Sequence, residues 1–243
     1  MITSTDNPRV KDVVRLRKGR ERRRDGLFIA EGVREVERAL AAGLTARAIY
    51  VDPTRLTDWA LGGEEVSDRV LAKMAYRTEP EGVLAVFETP TRTIPPDATL
   101  VLVAVGIEKP GNLGAMARTA DAAGVDALLV ADAESDPWNP NAIRASTGAV
   151  FTLPIVETTL DDVAQLPQQK IAAALGASAR HTDPDYTQPT AFLIGAEHDG
   201  LDDRWRAIAD MHVEIPMQGT AADSLNASAA AAVLLFEAVR QRG

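Results

Sequence analysis

Apolar positions in the first part of the chain recur at two spacings, one typical of helices and the other of strands. The spacing of Val10, Val13 and Leu16, after the helix-start residues Asp6-Asn7-Pro8, predicts one basic amphipathic helix over residues 5–24. Short apolar runs bounded by polar turns predict a small α/β unit after this helix. Its expected elements are strands at 27–30, 48–51 and 82–87 and helices at 33–42 and 67–75.

A polar, proline-rich segment separates this unit from a longer pattern. Residues 88–97 contain three prolines and little apolar content, which is typical of an interdomain linker. Beyond it, nearly continuous apolar strands alternate with helical segments, and this pattern predicts a parallel sheet covered on both faces. The segments are 100–105, 113–123, 127–130, 141–146, 171–175, 192–194 and 213–215, followed by a long final helix from Leu225. We therefore predict domains at 1–90 and 99–243, with a linker at 91–98.

Composition restricts the kinds of protein and site that are possible. Hydrophobic residues make up 46% and charged residues 25% of the 243 residues, as in a folded cytosolic protein. The absence of cysteine excludes disulfides, thiolate metal sites and a cysteine nucleophile. The three histidines lack the spacing of a helical ligand pair, so we expect no metal site. The amino-terminal residues lack the apolar region of a signal peptide, and no apolar run is long enough to predict a membrane span.

Charge is distributed unevenly along the chain. The formal net charge is −9, yet residues 9–24 contain nine basic and two acidic residues, a local charge of +7 that leaves −16 for the remainder. Such a segment favours a polyanionic partner, although a solvated basic helix explains the same pattern. The candidate phosphate contacts within it are Arg9, Lys11, Arg15, Arg17 and Lys18.

A glycine-rich loop leaves the predicted strand 100–105 and opens the next helix. Glycine lets a backbone approach a ligand, and the exposed amides of a helix start favour anionic groups. The GxGxxG pattern of dinucleotide-binding proteins cannot be read at this turn, and no acidic ribose anchor follows at the expected distance. Asn112 in the loop and Arg118 in the helix can face one ligand; the alternative is an ordinary glycine turn with a surface arginine.

Two later segments also follow predicted strands. The apolar strand 192–194 ends in Gly195, and Glu197 just past it can accept hydrogen bonds from a ribose or from an arginine. A further strand breaks at a proline, and Ser224 then stands where the N-cap of an alanine-rich helix is expected. Asn226 is expected in the first turn of that helix, whose alanines predict close packing against another backbone.

Taken together, the three segments resemble the motifs of the SpoU/TrmH family, within the SPOUT class of RNA methyltransferases. Residues 112–120 match its first motif, 194–201 its second, and 215–219 with 224–228 its third, in the family's order and spacing. The stretch 144–149 is similar to another element that the family shows between its first two motifs. The resemblance covers residues 99–243, and residues 25–90 look like the small substrate-binding domain that many members carry.

The resemblance implies an α/β fold with a deep trefoil knot, in which the chain is threaded through a loop, and S-adenosylmethionine held bent in that knot. It implies a homodimer with the catalytic site at the subunit interface, and a place for Arg144 either in RNA contact or in that interface. The residues expected to hold the cofactor, mostly through backbone groups, are Leu193, Gly195, Ile215, Met217, Gly219 and Leu225.

The resemblance also implies methyl transfer to a ribose 2′-hydroxyl of RNA, with Arg118 nearest the reacting oxygen. A guanidinium keeps its proton near neutral pH and is a poor proton acceptor, so Arg118 is expected to bind the adjacent phosphate and stabilise the developing alkoxide. Asn112 is expected to orient the substrate or Arg118, and Glu197 to anchor Arg118 or the motif. Ser224 and Asn226 are expected to shape the pocket.

The resemblance favours rRNA over tRNA as the substrate, because an extra amino-terminal domain is commoner in the rRNA-directed members of the family. The basic helix could supply phosphate contacts to such an RNA. Three other hypotheses remain at this point. They are a non-catalytic RNA-binding protein on the same fold, a nicotinamide enzyme on a doubly wound sheet, and base methylation on the knotted scaffold.

Overall fold

Two sheets organise the chain, and each belongs to its own unit. The computed structural model describes residues 1–196, 199–219 and 223–243. One unit consists of Met1–Thr91 with Trp138–Thr152, and the other of Arg92–Pro137 with Leu153–Gly243. In chain order, the elements of the described residues are α1 (Pro8–Arg15), α2 (Gly19–Asp25), β1 (Leu27–Glu31), α3 (Val33–Ala41), β2 (Ala46–Val51), β3 (Glu64–Glu65), α4 (Asp68–Met74), β4 (Val83–Glu88), β5 (Leu100–Val105), α5 (Pro110–Ala122), β6 (Ala127–Ala131), α6 (Pro140–Ser146), a 3-10 turn (Ala149–Phe151), β7 (Ile155–Thr158), α7 (Leu160–Ala164), β8 (Gln169–Ala173), β9 (Ala179–Arg180), β10 (Thr190–Ile194), α8 (Asp203–Ala207), β11 (Met211–Glu214) and α9 (Ala227–Arg242).

The sheet of the first unit has the strand order β1-β4-β2-β3. Strand β4 pairs antiparallel with β1 and β2, and the short β3 pairs parallel with the end of β2. Apolar side chains of α1 and α4, such as Val10, Val13 and Leu71, form a core with Ile29 and Leu84 of the strands. The strands and helices predicted between residues 27 and 87 are confirmed by β1, α3, β2, α4 and β4.

The single helix predicted over residues 5–24 is wrong, because two helices occupy this segment. Helix α1 ends at Arg15, and α2 begins at Gly19 after Lys18 adopts an extended backbone with φ −88° and ψ 127°. The buried Arg22 reaches back, and its Nη1 donates to the carbonyls of Leu16 and Arg17 at 2.8 and 2.9 Å. These carbonyls lie past the end of α1, where a helix leaves its acceptors without partners. The arginine therefore stabilises the break.

Residues 138–152 pack into the first unit, although the sequence pattern placed them in the predicted domain 99–243. Trp138 and Phe151 lie against Phe28, with ring centroids 4.7 and 5.9 Å away, and Phe28 also stacks on Phe87 at 5.6 Å. Aromatic side chains bury large apolar areas, so this cluster is a substantial part of the core. The first unit is thus discontinuous in sequence.

The second unit is built on a seven-stranded sheet of order β7-β6-β5-β10-β8-β11-β9, in which every strand pair is parallel. Strands β5, β6 and β10 are buried along their whole length, as their continuous apolar sequences predicted. Val163 of α7 and Trp205 of α8 pack on strand residues such as Val103 and Leu193. The predicted parallel α/β sheet is confirmed, whereas β7, α7, β9 and α8 were missed because each is short. The knot stays a prediction.

Helices α5 and α9 pack against each other, and they contact β6 and β10 respectively. Small buried residues, among them Gly114 and Ala117 of α5 and Ala227 and Ala231 of α9, allow this close approach. The packing predicted from the alanine-rich sequence of α9 is therefore confirmed. Within the described residues, no helix combines the length and apolarity needed to cross a membrane.

Candidate active site

A cavity of about 190 Å³ lies at the carboxyl ends of three neighbouring strands, β10, β8 and β11. Ala173–Leu175, which no motif had indicated, lines it after β8, and Ile194–Ala196 lines it after β10. Ala227 and Ala230 of α9 close another side. The carboxyl ends of strands are where open parallel sheets bind ligands.

Four of the six predicted cofactor residues line this cavity, namely Gly195, Ile215, Met217 and Leu225. Leu193 does not, because it is fully buried within β10 and packs in the core of the sheet. Gly219 is exposed and is not part of the lining. The fold thus brings together the loops after β10 and β11 and Leu225, the residue before the N-cap of α9. The resemblance implied this arrangement.

Gly195 is a glycine because two backbone segments meet there. A Cβ at this position would lie 2.1 Å from the carbonyl carbon of Gly200 and 2.5 Å from the nitrogen of Leu201. The amide of Gly200 also donates to the carbonyl of Ala196 at 3.0 Å, which folds the chain back on itself. The absence of a side chain therefore shapes the floor of the cavity.

The chemistry of the cavity fits S-adenosylmethionine. Its walls are mostly alanine, glycine and aliphatic side chains, which suits a nucleoside. Asp199 and Arg206 are the charged residues among the described lining, and Ser224 adds a hydroxyl. A ligand with a flat apolar body and a zwitterionic end matches this set.

Asn226 joins the start of α9 to the start of α5. Its Oδ1 accepts from the backbone N–H of Ser228 at 3.0 Å and from the Ser228 hydroxyl at 2.6 Å, which caps α9. Its Nδ2 donates to Oδ1 of Asn112 in the first turn of α5, at 3.2 Å. The cap predicted at Ser224 is therefore wrong: the loop continues for two more residues, and Ser224 is an exposed residue of the cavity lining instead.

Arg118 lies on α5, six residues after Asn112 of its first turn. It is exposed, and its guanidinium makes no hydrogen bond or ion pair with the part of the chain that the structure describes. Its charge is therefore available to a ligand. The predicted partner Glu197 lies outside the described residues.

Two charged residues of the cavity, Asp199 and Arg206, were not among the site residues that the sequence predicted. Arg206 belongs to the short helix α8, and its Nε donates to the carbonyl of Leu201 at 2.9 Å. No motif marks this arginine, because its helix was not predicted. The signal that could have indicated Arg206 is its position shortly after the predicted strand 192–194 and Gly195.

The basic residues predicted to contact phosphates in the first unit differ in whether an acidic side chain pairs with them. Arg9 pairs with Glu64 at 2.6 Å, Lys11 with Asp6 at 3.1 Å, and Arg15 with Asp25 at 3.0 Å. The Lys11 pair is largely exposed to solvent and the Arg9 pair is exposed at the arginine, so water and salt compete with both, whereas the Arg15 pair is partly buried at Asp25.

The other three predicted contacts include one arginine that the fold uses directly. Arg17 donates to the backbone carbonyls of Lys73 and Ala75, at the end of α4. Lys18 is exposed and unpaired among the described residues. Arg144 is exposed on α6 and donates to Asn141 at 3.1 Å. The basic segment therefore serves the fold as well as any partner.

Comparisons with known proteins agree with the motifs. Residues 99–236 match the SpoU rRNA Methylase family, and residues 7–85 match the MRM3-like substrate binding domain. The chain is similar to the 23S rRNA (uridine(2479)-2′-O)-methyltransferase of Streptomyces viridochromogenes, with 35% identity over 91% of this chain and 85% of that protein. It is also similar to the 23S rRNA (guanosine(2553)-2′-O)-methyltransferase RlmP of Bacillus subtilis, with 30% identity over 97% of both chains.

A solved structure extends the similarity to the fold. The crystal structure of the SpoU methyltransferase AviRb from Streptomyces viridochromogenes, in complex with the cofactor AdoMet, matches with a TM-score of 0.87 and 33% identity. The match covers 97% of this chain and 98% of that one. Both units thus have counterparts in one crystallised protein.

Proposed function

Because this chain belongs to the SpoU rRNA methylase family, we propose that it transfers a methyl group from S-adenosylmethionine to a ribose 2′-hydroxyl of 23S ribosomal RNA. The observation that carries the proposal is the hydrogen bond between Asn226 and Asn112. It ties the end of the cavity lining at Leu225 to the helix that presents the free guanidinium of Arg118. This hydrogen bond thereby links the cofactor cavity to Arg118, a cation that can bind a phosphate or stabilise an alkoxide.

S-adenosylmethionine supplies a methyl group on a sulfonium, which is electrophilic without help from an acid. The chain's own residues have to hold and orient the reactants, because in-line attack succeeds only from a narrow range of positions. We assign the holding role to Gly195, Ile215, Met217 and Leu225 of the cavity, with Ser224 at its edge. Leu193 supports these residues from within β10, and Gly219 continues the loop that carries Met217.

Arg118 is assigned to the RNA side of the reaction. A guanidinium keeps its proton near neutral pH, so it does not accept the proton of the 2′-hydroxyl. It binds the phosphate next to the reacting ribose and stabilises negative charge on the 2′-oxygen as the proton leaves. Asn112, which lies six residues and nearly two turns earlier in α5, orients Arg118 or the ribose, and Glu197 is proposed to anchor Arg118.

The first unit is proposed to bind the ribosomal RNA. It carries the match to a substrate binding domain at residues 7–85, and it contains the basic segment of an otherwise acidic chain. Within the basic segment, Lys18 and Arg20 are exposed and unpaired among the described residues, which leaves their charges available to phosphates. Arg9, Lys11, Arg15 and Arg17 are proposed to reinforce them, and Arg144 contributes from α6.

Methyl transfer is tested with tritiated S-adenosylmethionine and 23S rRNA from cells that lack the gene. We expect incorporation at one nucleotide, mapped as a 2′-O-methyl group that is also missing from those cells. Equal incorporation into tRNA, or a methyl group on a base, would redirect the substrate assignment. Binding of RNA without any incorporation would favour a non-catalytic protein instead.

Arg118→Ala is expected to lower methyl transfer at least a hundredfold, because it removes charge stabilisation that matters most as the alkoxide forms. Binding of S-adenosylhomocysteine should stay within about twofold of wild type, since Arg118 is not part of the cavity lining. Single-turnover transfer and calorimetric titration measure the two effects. An Arg118→Ala enzyme with unchanged turnover would remove Arg118 from the mechanism.

We also propose a homodimer that uses the outer face of α9. Phe236 is 49% exposed and Val233 is 36% exposed, and the two lie three residues apart on the longest helix among the described residues. Phe236→Asp is therefore expected to give a monomer by light scattering, because it places a charge in the interface. Met211→Asp, at an apolar residue that is 39% exposed on β11, is the control and should leave the mass unchanged. If the Phe236→Asp variant is still a dimer, the outer face of α9 is not the dimer interface.

A further inference from the structure

The cavity proposed for the cofactor contains one cation among its described residues, Arg206. The remaining described lining is apolar or backbone, apart from Ser224 and the carboxylate of Asp199. S-adenosylmethionine ends in an amino acid, whose carboxylate loses part of its water when the cofactor enters such a cavity. A carboxylate in that situation needs a charged or hydrogen-bonding partner.

Arg206 is held in a way that leaves its outer nitrogens free. Its Nε donates to the carbonyl of Leu201, a buried residue that also lines the cavity. Within the described chain, no other hydrogen bond or ion pair involves the Arg206 guanidinium. The bond at Nε fixes the plane of the group, while both Nη groups remain as donors.

A second arginine on the same helix, Arg204, forms ion pairs and does not line the cavity. It pairs with Asp202 at 2.7 Å and with Asp132 at 3.6 Å. Helix α8 therefore carries one arginine used in surface ion pairs and one directed to the cavity. The two provide a matched pair for substitution.

We propose that Arg206 binds the α-carboxylate of the methionine part of S-adenosylmethionine through its Nη groups. A planar guanidinium matches the two oxygens of a carboxylate, and such charge-assisted bonds are stronger than neutral ones. The assignment rests on the proposed function, because it takes the cavity as the cofactor site. It adds the residue that distinguishes the complete cofactor from its nucleoside part.

Two ligands that differ in the amino-acid end test this proposal. S-adenosylhomocysteine carries the carboxylate, whereas 5′-methylthioadenosine has the same nucleoside and sulfur but no amino acid. Calorimetric titration of Arg206→Met is expected to show about a tenfold or greater loss of affinity for S-adenosylhomocysteine. Its affinity for 5′-methylthioadenosine should stay within about twofold of wild type. Arg204→Met should change neither affinity, and Arg206→Lys should recover part of the loss.

Three results would overturn the assignment of Arg206. Equal losses for both ligands would mean that the arginine only holds the loop at Leu201. Unchanged affinity for both would mean that the carboxylate is bound elsewhere. Unchanged ligand affinity with weaker binding of 23S rRNA would place Arg206 on the RNA side.

A variant that fills the cavity separates this proposal from the proposed function. Ala230 lines the cavity from α9 and is partly exposed, so Ala230→Trp can be accommodated by the fold, which thermal unfolding checks. We expect it to abolish binding of both ligands. If both still bind as to wild type, the cavity is not the cofactor site and the wider assignment fails. If neither binds while Arg206→Met shows no selectivity, only the role of Arg206 fails.

Discussion

Asn226 uses both ends of its side-chain amide. Its carbonyl oxygen caps α9 by accepting from Ser228, and its amide nitrogen donates to Asn112 on α5. Aspartate would cap the helix equally well but has no donor for Asn112 when ionised. The amide is therefore the group that fixes the start of one helix against the start of the other.

Gly195 cannot accept a side chain without moving the backbone. An added Cβ would meet the backbone of Gly200 and Leu201 at 2.1 to 2.5 Å. Backbone atoms cannot move aside as the end of a flexible side chain can. We therefore expect Gly195→Ala to lower the free energy of unfolding by about 3 kcal/mol and to abolish binding of S-adenosylhomocysteine. Urea unfolding and calorimetric titration measure these effects.

Gly111 provides the control for this substitution. It lies in the first turn of α5, and an added Cβ would have no neighbouring atom within 4 Å. Gly111→Ala should leave the free energy of unfolding within about 1 kcal/mol of wild type, since alanine is the better helix former. Equal stability of the two variants would contradict the close backbone approach at Gly195.

The residues of the site differ in how far the sequence could predict them. Gly195, Ile215, Met217 and Leu225 lie in motifs, and all four line the cavity. Arg206 and the loop after β8 carry no motif, so their place depends on strand order, which periodicity does not reveal. Ser224 and Asn226 both suit an N-cap, and only the length of the preceding loop decides between them.

At the scale of elements, the basic segment shows how a pattern can be correct in type and wrong in extent. The apolar spacing does correspond to helix α1, but it contains no signal for the turn at Leu16–Lys18. That turn is stabilised by Arg22, a residue whose charge predicted exposure yet which is 3% exposed. The burial of an arginine that donates to backbone carbonyls depends on tertiary structure. The spacing of apolar residues therefore cannot predict it.

The free cations of this segment are expected to bind RNA without supporting the fold. Replacing Lys18 and Arg20 together by glutamine should weaken binding to 23S rRNA and leave the free energy of unfolding unchanged, because neither has a partner in the described chain. The dependence of log affinity on log salt should fall by about 0.7 to 0.9 for each phosphate that the variant no longer binds. Filter binding at several salt concentrations measures this slope.

Arg22→Gln is the contrasting variant within the same segment. It removes the charged donor to the carbonyls of Leu16 and Arg17, so we expect a loss of about 1.5 to 3 kcal/mol in the free energy of unfolding. If the double variant at Lys18 and Arg20 loses as much stability as Arg22→Gln, the separation of roles is incorrect. If it binds 23S rRNA with an unchanged salt slope, the RNA assignment of these two residues is incorrect.

At the scale of the whole molecule, the two units are interleaved along the chain. The first unit includes Trp138–Thr152, a segment that lies between two parts of the second. Arg38 of α3 donates to the carbonyl of Thr147, which has a left-handed backbone with φ 52°, so the end of α6 is held as well as its aromatic neighbours. The sequence marked this stretch as a family element, but apolar patterning cannot say which of two sheets will bury Phe151.

This arrangement predicts what happens when the chain is cut at the linker. A fragment of residues 92–243 keeps every strand of the seven-stranded sheet but loses Phe28 and Arg38, which contact the segment at 138–152, and Phe87, which stacks on Phe28. Without its aromatic partners, α6 is a helix of seven residues, too short to be stable alone in water. We therefore expect its amides to exchange within seconds in the fragment, while those of β5, β6 and β10 stay protected as in the full chain.

Hydrogen exchange followed by mass spectrometry on both proteins measures this difference peptide by peptide. Retained protection of α6 in the fragment would show that the second unit holds the segment by itself. Loss of protection in all strands would show instead that the two units unfold as one. Selective loss at α6 is the result that follows from burial of Phe151 against Phe28, because that segment takes part of its core from a residue before the linker.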